Sequence, residues 1–511
     1  MPQVLAKDNR PKPNTPSEPS DVRDVARVLP DNIRAAIDEL ARALPSDRLL
    51  TDASSLFTYE SDGFTIAKAR PSAVVFPANV DEVVLVVKTL AKHNVQIVPR
   101  GTGTGLTGGC VAFDDGVIVS TVKLTRILKI DLENRVAHVE AGVRNTALSD
   151  AVAALGREAA CYHFAPDPSS QRASTIGGNA ATNAGGIHTL KDFVSSNHIL
   201  GLEMVLADGS IIRVGGENGC YESPLDLPGL ICGCEGTLGI ITRLWVRLAP
   251  KRTAFHTIVG TFANTRDACN TVSAIIAAGH LPAAMEMMDG KMVQIVEETF
   301  HLGLPKDAQA LILCEIDGIP DLLKGQLDEI LGMYKANYAV TIETSSDPAT
   351  RTKLWKARKG AFGAIGKISP SYCTQDACVP RSMLGQVLQR VDEIGREHGL
   401  QINNVFHAGD GNVHPIFLYD DRDEAQVQNT LIAAEKVLQY CIDIGGTVTG
   451  EHGVGVEKLH LMPYLFDGHT MRRFADVKAA FDPGECINAG KLIPSEKVVV
   501  DLLKPGRHTP Q

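Results

Sequence analysis

Residues 98–109 read VPRGTGTGLTGG, and this stretch limits the fold more than any other. Gly103, Gly105 and Gly108 match the G-x-G-x-x-G spacing of dinucleotide-binding loops. In a Rossmann fold such a loop opens a helix, and an acidic residue about 20 positions further on holds a ribose. Here the glycines run into CVAFDDGVIVSTV, a turn and then a β-branched run that reads as a strand. No amphipathic helix starts at Gly105 or Gly108, so the spacing match fails its structural test. The composition still suits a phosphate. Five glycines and three threonines over 101–109 let backbone N–H groups and hydroxyls come close to a pyrophosphate, and Arg100 adds a charge.

The flanking pattern is β-α-β. AVVFP (73–77) and QIVP (96–99) read as strands around a helix marked by Val83, Val87 and Leu90, after an earlier helix marked by Ile33, Ile37, Leu40 and Leu44. Strands follow at 116–122, 126–132 and 135–142, then a short helix with Leu148, Val152 and Leu155. The residues 166–186, PDPSSQRASTIGGNAATNAGG, read as one long loop. GLEMVLADGSIIRVG (201–215) is a hairpin turning on Asp208-Gly209. Beyond Pro250, strands at 257–263, 283–289, 310–317 and 339–344 alternate with helices, as in an α+β unit of ferredoxin-like type. Two more helices, at about 349–367 and 381–399, lead to the strand INNVFH (402–407).

Composition narrows the class. A net charge of −10 argues against nucleic acid. No apolar run reaches 18 residues, so no membrane span is expected. The first twenty residues, rich in Pro and polar side chains, read as a disordered arm and not a secretory signal. The 11 scattered cysteines form neither a disulfide framework nor an iron–sulfur run, which fits a reducing cytoplasm. Cys232-x-Cys234 reads as two buried thiols in a Gly-rich turn.

The second chemical signal lies far downstream. FHAGDGNVHP (406–415) sets His407 and His414 on either side of a glycine turn, and GEHGVG (450–455) adds Glu451 and His452. Two imidazoles and a carboxylate suit Zn²⁺ or a similar divalent ion with open positions for substrate. Neighbouring side chains in extended backbone point opposite ways, so Glu451 and His452 divide into a metal ligand and a free base. Arg358 and Lys359 sit on the helix of LWKARKGAFGAIGKISPSYC, where the plain reading is a solvated basic face.

Together, VPRGTGTGLTGG, PDPSSQRASTIGGNAATNAGG and GCEGTLGIIT resemble the FAD-binding lobe of the vanillyl-alcohol-oxidase-type flavoproteins. From about residue 50 to 495 the chain is similar to the flavin subunit of glycolate oxidase and the FAD-linked D-lactate dehydrogenases. The resemblance implies an α+β fold. It comprises a disordered arm (1–20), a PCMH-type FAD-binding lobe (21–250), a ferredoxin-like cap (251–445), a C-terminal segment returning to the FAD lobe (446–495) and a tail (496–511). It implies FAD contacts at Arg100, Gly101, Thr102, Gly103, Thr104, Gly105, Pro166, Asp167, Ser174, Gly178, Asn179, Glu235, Ile240 and, in the INAGKLIP turn, Asn488. Relatives with covalent flavin often carry a His where Thr104 stands, so a noncovalent FAD is implied. Two departures stand out: Ala489 replaces a proline, and Asp192-Phe193 replaces Tyr-Gly.

The activity implied is oxidation of a small D-2-hydroxy acid, glycolate or D-lactate. Metal bound by His407, His414 and Glu451 would lower the hydroxyl pKa, with His452 as base, Arg358 on the carboxylate and hydride passing to flavin. The rivals are a D-2-hydroxyglutarate dehydrogenase, a metal-dependent hydrolase and a catalytically silent subunit. The resemblance also implies companion flavin and iron–sulfur subunits or another electron acceptor, in the cytoplasm or peripheral to the inner membrane through those subunits.

Overall fold

A computed structural model describes residues 28–494 apart from 114 and 219–224. The arm expected over 1–20 and the tail over 496–511 lie outside the described residues. The β-α-β opening forms, but its two strands are not neighbours. Ala73–Val75 and Ile97–Arg100 each pair in parallel with Val117–Ser120, which lies between them. The glycine stretch therefore loops between an outer strand and the central one. The connecting helix Val80–Lys92 is capped by the Asn79 side chain, which accepts the Glu82 N–H, and buries Val83, Val86, Val87 and Leu90. Each such side chain contributes roughly 1.5–3 kcal/mol. The helix Asp31–Ala43 docks on the same unit through Ile33, Ala36 and Leu40.

Five antiparallel strands form the second sheet, in the order Ile127–Asp131, Val136–Glu140, Ile240–Arg247, Ile199–Val205, Ile211–Gly215. Ala137, Val139, Leu202, Met204, Leu244 and Val246 pack from it onto Leu148, Val152, Ile176 and Ala180 of two helices. The second helix, Ile176–Thr182, corrects the reading of 166–186 as one loop. Thr175 Oγ1 accepts the Gly178 N–H and caps it. A Cβ on Gly177 would lie 2.6 Å from Ala141 Cβ, so this glycine serves close packing of helix on sheet.

Beyond Pro250 the strands Ala254–Phe262, Ala284–Asp289, Ala310–Gly318 and Thr341–Ser345 alternate with helices. They lie in the order fourth, first, third, second, all antiparallel, as in a ferredoxin-like sheet. Gln401–His407 extends this sheet along Ala284–Asp289, with His407 opposite Glu286. The chain then returns to the first lobe. Ile487 bridges to Ile97, and Lys491 Nζ donates to the carbonyls of Gly109 and Val111. Among the described residues, no helix is long and apolar enough to cross a membrane.

Candidate active site

One cleft of about 430 Å³ is lined both by the glycine stretch and by the downstream histidines. Arg100 through Gly105, Ser174, Gly178, Asn179, Glu235 and Ile240 all line it, together with Arg358, His407, His414, Glu451 and His452. Three of the residues assigned to the cofactor stand behind its wall. The Pro166 carbonyl accepts from Asn145, and Asp167 faces His188 Nδ1 at 2.9 Å. Asn488 Nδ2 is spent on the carbonyls of Gly109 and Glu235. Pro168, Ser169 and Ser170, which follow Asp167 in the chain, reach the cleft instead. Arg100 supports the glycine turn from below, its guanidinium donating to the Ser61 carbonyl at 3.0 Å.

The residues present fit an FAD. Thr102 Oγ1, Ser174 Oγ and Asn179 Nδ2 are buried without a hydrogen-bond partner in the protein, and all three belong to cleft-lining residues. Such groups call for a polar ligand. Among the described residues, the N–H groups of Thr102, Gly103, Thr104 and Gly105 also donate to no protein acceptor. Free N–H groups in a turn form an anion-binding concavity.

Three donors converge in the cap. Glu451 Oε1 lies 3.3 Å from His407 Nε2 and 3.2 Å from His414 Nε2. Each imidazole is oriented by its other nitrogen: His407 Nδ1 donates to Glu286 Oε1 at 2.7 Å, and His414 Nδ1 to the Gln375 carbonyl at 3.2 Å. This leaves both Nε2 atoms turned toward Glu451, as metal-ligating histidines are held. Burial alone would make His407 hard to protonate, but Glu286 and Glu451 outweigh it and raise its pKa well above the imidazole range. Burial lowers the His414 pKa, favouring the neutral ligand form. His452 stacks on His414, with ring centroids 4.8 Å apart and planes at 8°.

A break in two paired strands produces this geometry. Ser371–Thr374 and Ala377–Cys378 pair with Pro415–Tyr419 and Asn412–Val413, and the gaps bring Asp376 and His414 together. Asp376 is fully buried and was not evident from sequence. Its carboxylate accepts N–H bonds from Gly450, Glu451 and His452, the Thr449 hydroxyl, and Asn412 Nδ2. The GEHG backbone is thus wrapped around an acid and not extended. The alternation argument for Glu451 and His452 fails for that reason, and His452 Nε2 comes within 3.6 Å of Glu451 Oε1. Asp376, His414 and His452 also offer clustered ligand atoms, but Asp376 is already saturated by these donors and the Lys458 ammonium at 3.4 Å.

Arg358 is 2% exposed, which removes the reading as a solvated basic face. Its guanidinium lies 2.5 Å from Glu286 Oε2, and its Nε has no protein partner. Glu286 also escaped the sequence reading, although an acid flanked on both sides by methionines within the strand AAMEMMD was the available signal. Cys232 and Cys234 are buried, and neither joins a cluster of potential metal ligands among the described residues.

A glycine-lined cofactor cleft facing a cap with a histidine–carboxylate centre defines a flavoprotein oxidoreductase. The chain belongs to the FAD-linked oxidases: residues 71–215 match the FAD binding domain and 251–492 the C-terminal domain of FAD linked oxidases. It is 36% identical over 470 residues to the glycolate oxidase subunit GlcD of Escherichia coli strain K12, covering 92% of this chain and 93% of that one. It is 32% identical over 466 residues to a D-lactate dehydrogenase of Archaeoglobus fulgidus, covering 89% and 99%. In fold it is similar to p-cresol methylhydroxylase, with a TM-score of 0.78 at 16% identity over 92% of this chain and 98% of that one. The fold is therefore the PCMH type.

Proposed function

We propose that the chain oxidises a small D-2-hydroxy acid, glycolate or D-lactate, to the 2-oxo acid. The observation that carries this reading is the shared cleft, which puts the glycine stretch, His407, His414, Glu451, His452 and Arg358 on one cavity. The names of the relatives, a glycolate oxidase subunit and a D-lactate dehydrogenase, support the substrate class.

His407, His414 and Glu451 would hold a divalent cation, zinc by the mixed imidazole and carboxylate set. When bound, the metal supplies Lewis-acid polarisation of the substrate hydroxyl, and the noncovalent FAD accepts the two electrons. Arg358 binds the substrate carboxylate through the donors that Glu286 leaves free, above all the unpartnered Nε. His452 Nε2, beside Glu451, takes the hydroxyl proton. Thr102, Ser174 and Asn179 hold the cofactor against the cap. The word subunit in the GlcD name supports companion subunits; those subunits would take the electrons onward and hold the chain at a membrane surface.

A second reading, D-2-hydroxyglutarate as substrate, is favoured by one feature: Lys359 also lines the cleft, its ammonium 3.7 Å from Asp167, and would have to exchange that partner for a second substrate carboxylate. A flavin-free hydrolase does not fit an FAD binding domain. The test is anaerobic flavin bleaching across D- and L-hydroxy acids, before and after chelation. Glycolate or D-lactate should bleach the metal-loaded protein fastest; bleaching by no hydroxy acid would sink the proposal and leave the silent-subunit reading.

A further inference from the structure

Glu286 faces two parts of the site at once. It lies opposite His407 on the neighbouring strand, and its Oε1 accepts from His407 Nδ1 at 2.7 Å. Its other oxygen, Oε2, lies 2.5 Å from the Arg358 guanidinium, which comes from the helix Pro348–Ile365. Glu286 is 1% exposed and Arg358 2%, so water cannot screen either charge. A single carboxylate is therefore divided between the imidazole proposed to bind metal and the guanidinium proposed to bind substrate.

We infer that Glu286 is a positioning residue that couples cation affinity at His407 to the charge state around Arg358. The inference rests on the metal reading above. The coupling has a sign. A carboxylate accepting the Nδ1–H of a ligating histidine raises the basicity of Nε2 and tightens the metal. Arg358 draws on the same charge, so it weakens Glu286 as an acceptor for His407. A substrate carboxylate bound on Arg358 would offset that cation and return acceptor strength to Glu286. Cation and substrate binding would then reinforce each other, each by the same factor, as linkage requires.

The test is zinc affinity of the FAD-loaded full chain, measured by competition with a chromogenic chelator, with flavin absorbance as the control for folding. Glu286→Gln should weaken zinc about 10- to 100-fold. Arg358→Gln should do the opposite and tighten zinc about threefold or more, although it raises the KM for the hydroxy acid. In the double variant the Arg358 effect should vanish, leaving the affinity of Glu286→Gln alone. If Arg358→Gln does not fold, Arg358→Met replaces it, since it also removes the charge while keeping most of the buried side-chain volume, and it should likewise tighten zinc about threefold. A weaker or unchanged zinc affinity in the folded Arg358 variant overturns the inference. So does an Arg358 effect that persists without Glu286. Wild-type protein with no stoichiometric zinc site would instead bring down the metal reading, and the inference with it.

Discussion

The backbone N–H of His452 donates to the carboxylate of Asp376 at 3.0 Å, and the loop around that bond is held from two sides. Asp376, from the cap, takes the N–H groups of Gly450, Glu451 and His452. Glu235, from the FAD lobe, takes those of Val454 and Gly455 at 2.6 and 2.7 Å. A Cβ on Gly453 would lie 2.5 Å from Glu235 Oε1, so only glycine lets that acid come so close. The Glu451 and His452 side chains are thus aimed by a backbone that two buried acids fix, one from each lobe.

Asp376→Asn tests this arrangement. The amide leaves one acceptor oxygen for several donors, and Lys458 loses its counter-charge inside the protein. Breaking a buried pair in this way costs about 3–5 kcal/mol. We expect stability to fall by that order in urea, with turnover reduced about 10²-fold, the size of loss that misplacing reacting groups produces. Flavin absorbance should stay near wild type, because Asp376 does not touch the glycine stretch. Turnover within twofold of wild type would show that the loop holds its shape without the acid.

His452→Ala and His407→Ala should separate base from ligand. His452 is proposed to move a proton, so its loss should lower flavin reduction about 10²–10⁴-fold while zinc and FAD remain. His407 is proposed to hold the metal, so its loss should empty the site of zinc as measured by elemental analysis. Equal zinc loss in both variants would make His452 a ligand and leave the base unassigned.

A pH signature is expected where the cap meets the FAD lobe. Burial alone would lower the His188 pKa, but Asp167 at 2.9 Å, together with Glu315, outweighs it and holds the imidazole up at about 10. The folded protein therefore binds this proton more tightly than the unfolded chain does. The contribution is complete below the unfolded value near 6.5 and is lost as pH rises toward 10. His188→Gln should cost about 2 kcal/mol at pH 6, less than a fully buried pair because His188 is partly exposed. The gap to wild type in denaturant titrations should shrink through pH 8 and nearly close at pH 10. A gap independent of pH would mean that His188 contributes shape and not charge.

What could be read in the sequence was what lies close together along it. The glycine stretch, the His407–His414 spacing and the Glu451-His452 pair each sit within about ten residues, and their residue types limit the chemistry. Glu286 escaped because it lies in a mostly apolar strand, and Asp376 because it lies in a two-residue break between strands; each is far along the chain from the residues it orients, and only the pairing of the surrounding strands brings it in. Side-chain direction escaped too. Asp167 and Asn488 are neighbours of cleft residues whose own polar atoms turn to His188 and to Gly109 and Glu235. Ile176–Thr182 reads as loop because glycines chosen for close packing look, in sequence, like glycines chosen for a turn.

Phe193 stands where the resemblance expects glycine, and its backbone shows why. It sits at φ +63 and ψ −170, a region that is essentially glycine's alone. The surroundings hold it there. Its N–H bonds to Thr189, the Asp192 carbonyl pairs with His198 Nε2, and Lys191 pairs with Asp317. The ring is 58% exposed, so little packing offsets the strain. Such conformations cost about 1–3 kcal/mol in a non-glycine residue, against roughly 0.5–1 kcal/mol of extra chain entropy lost by a glycine. Phe193→Gly should therefore stabilise the protein by about 1 kcal/mol in urea unfolding. Phe193→Ala keeps the Cβ and the strain, so it should stay within about 0.5 kcal/mol of wild type. If the two variants prove equally stable, the strain has been relieved elsewhere in the 188–198 turn and the backbone there is not the constraint.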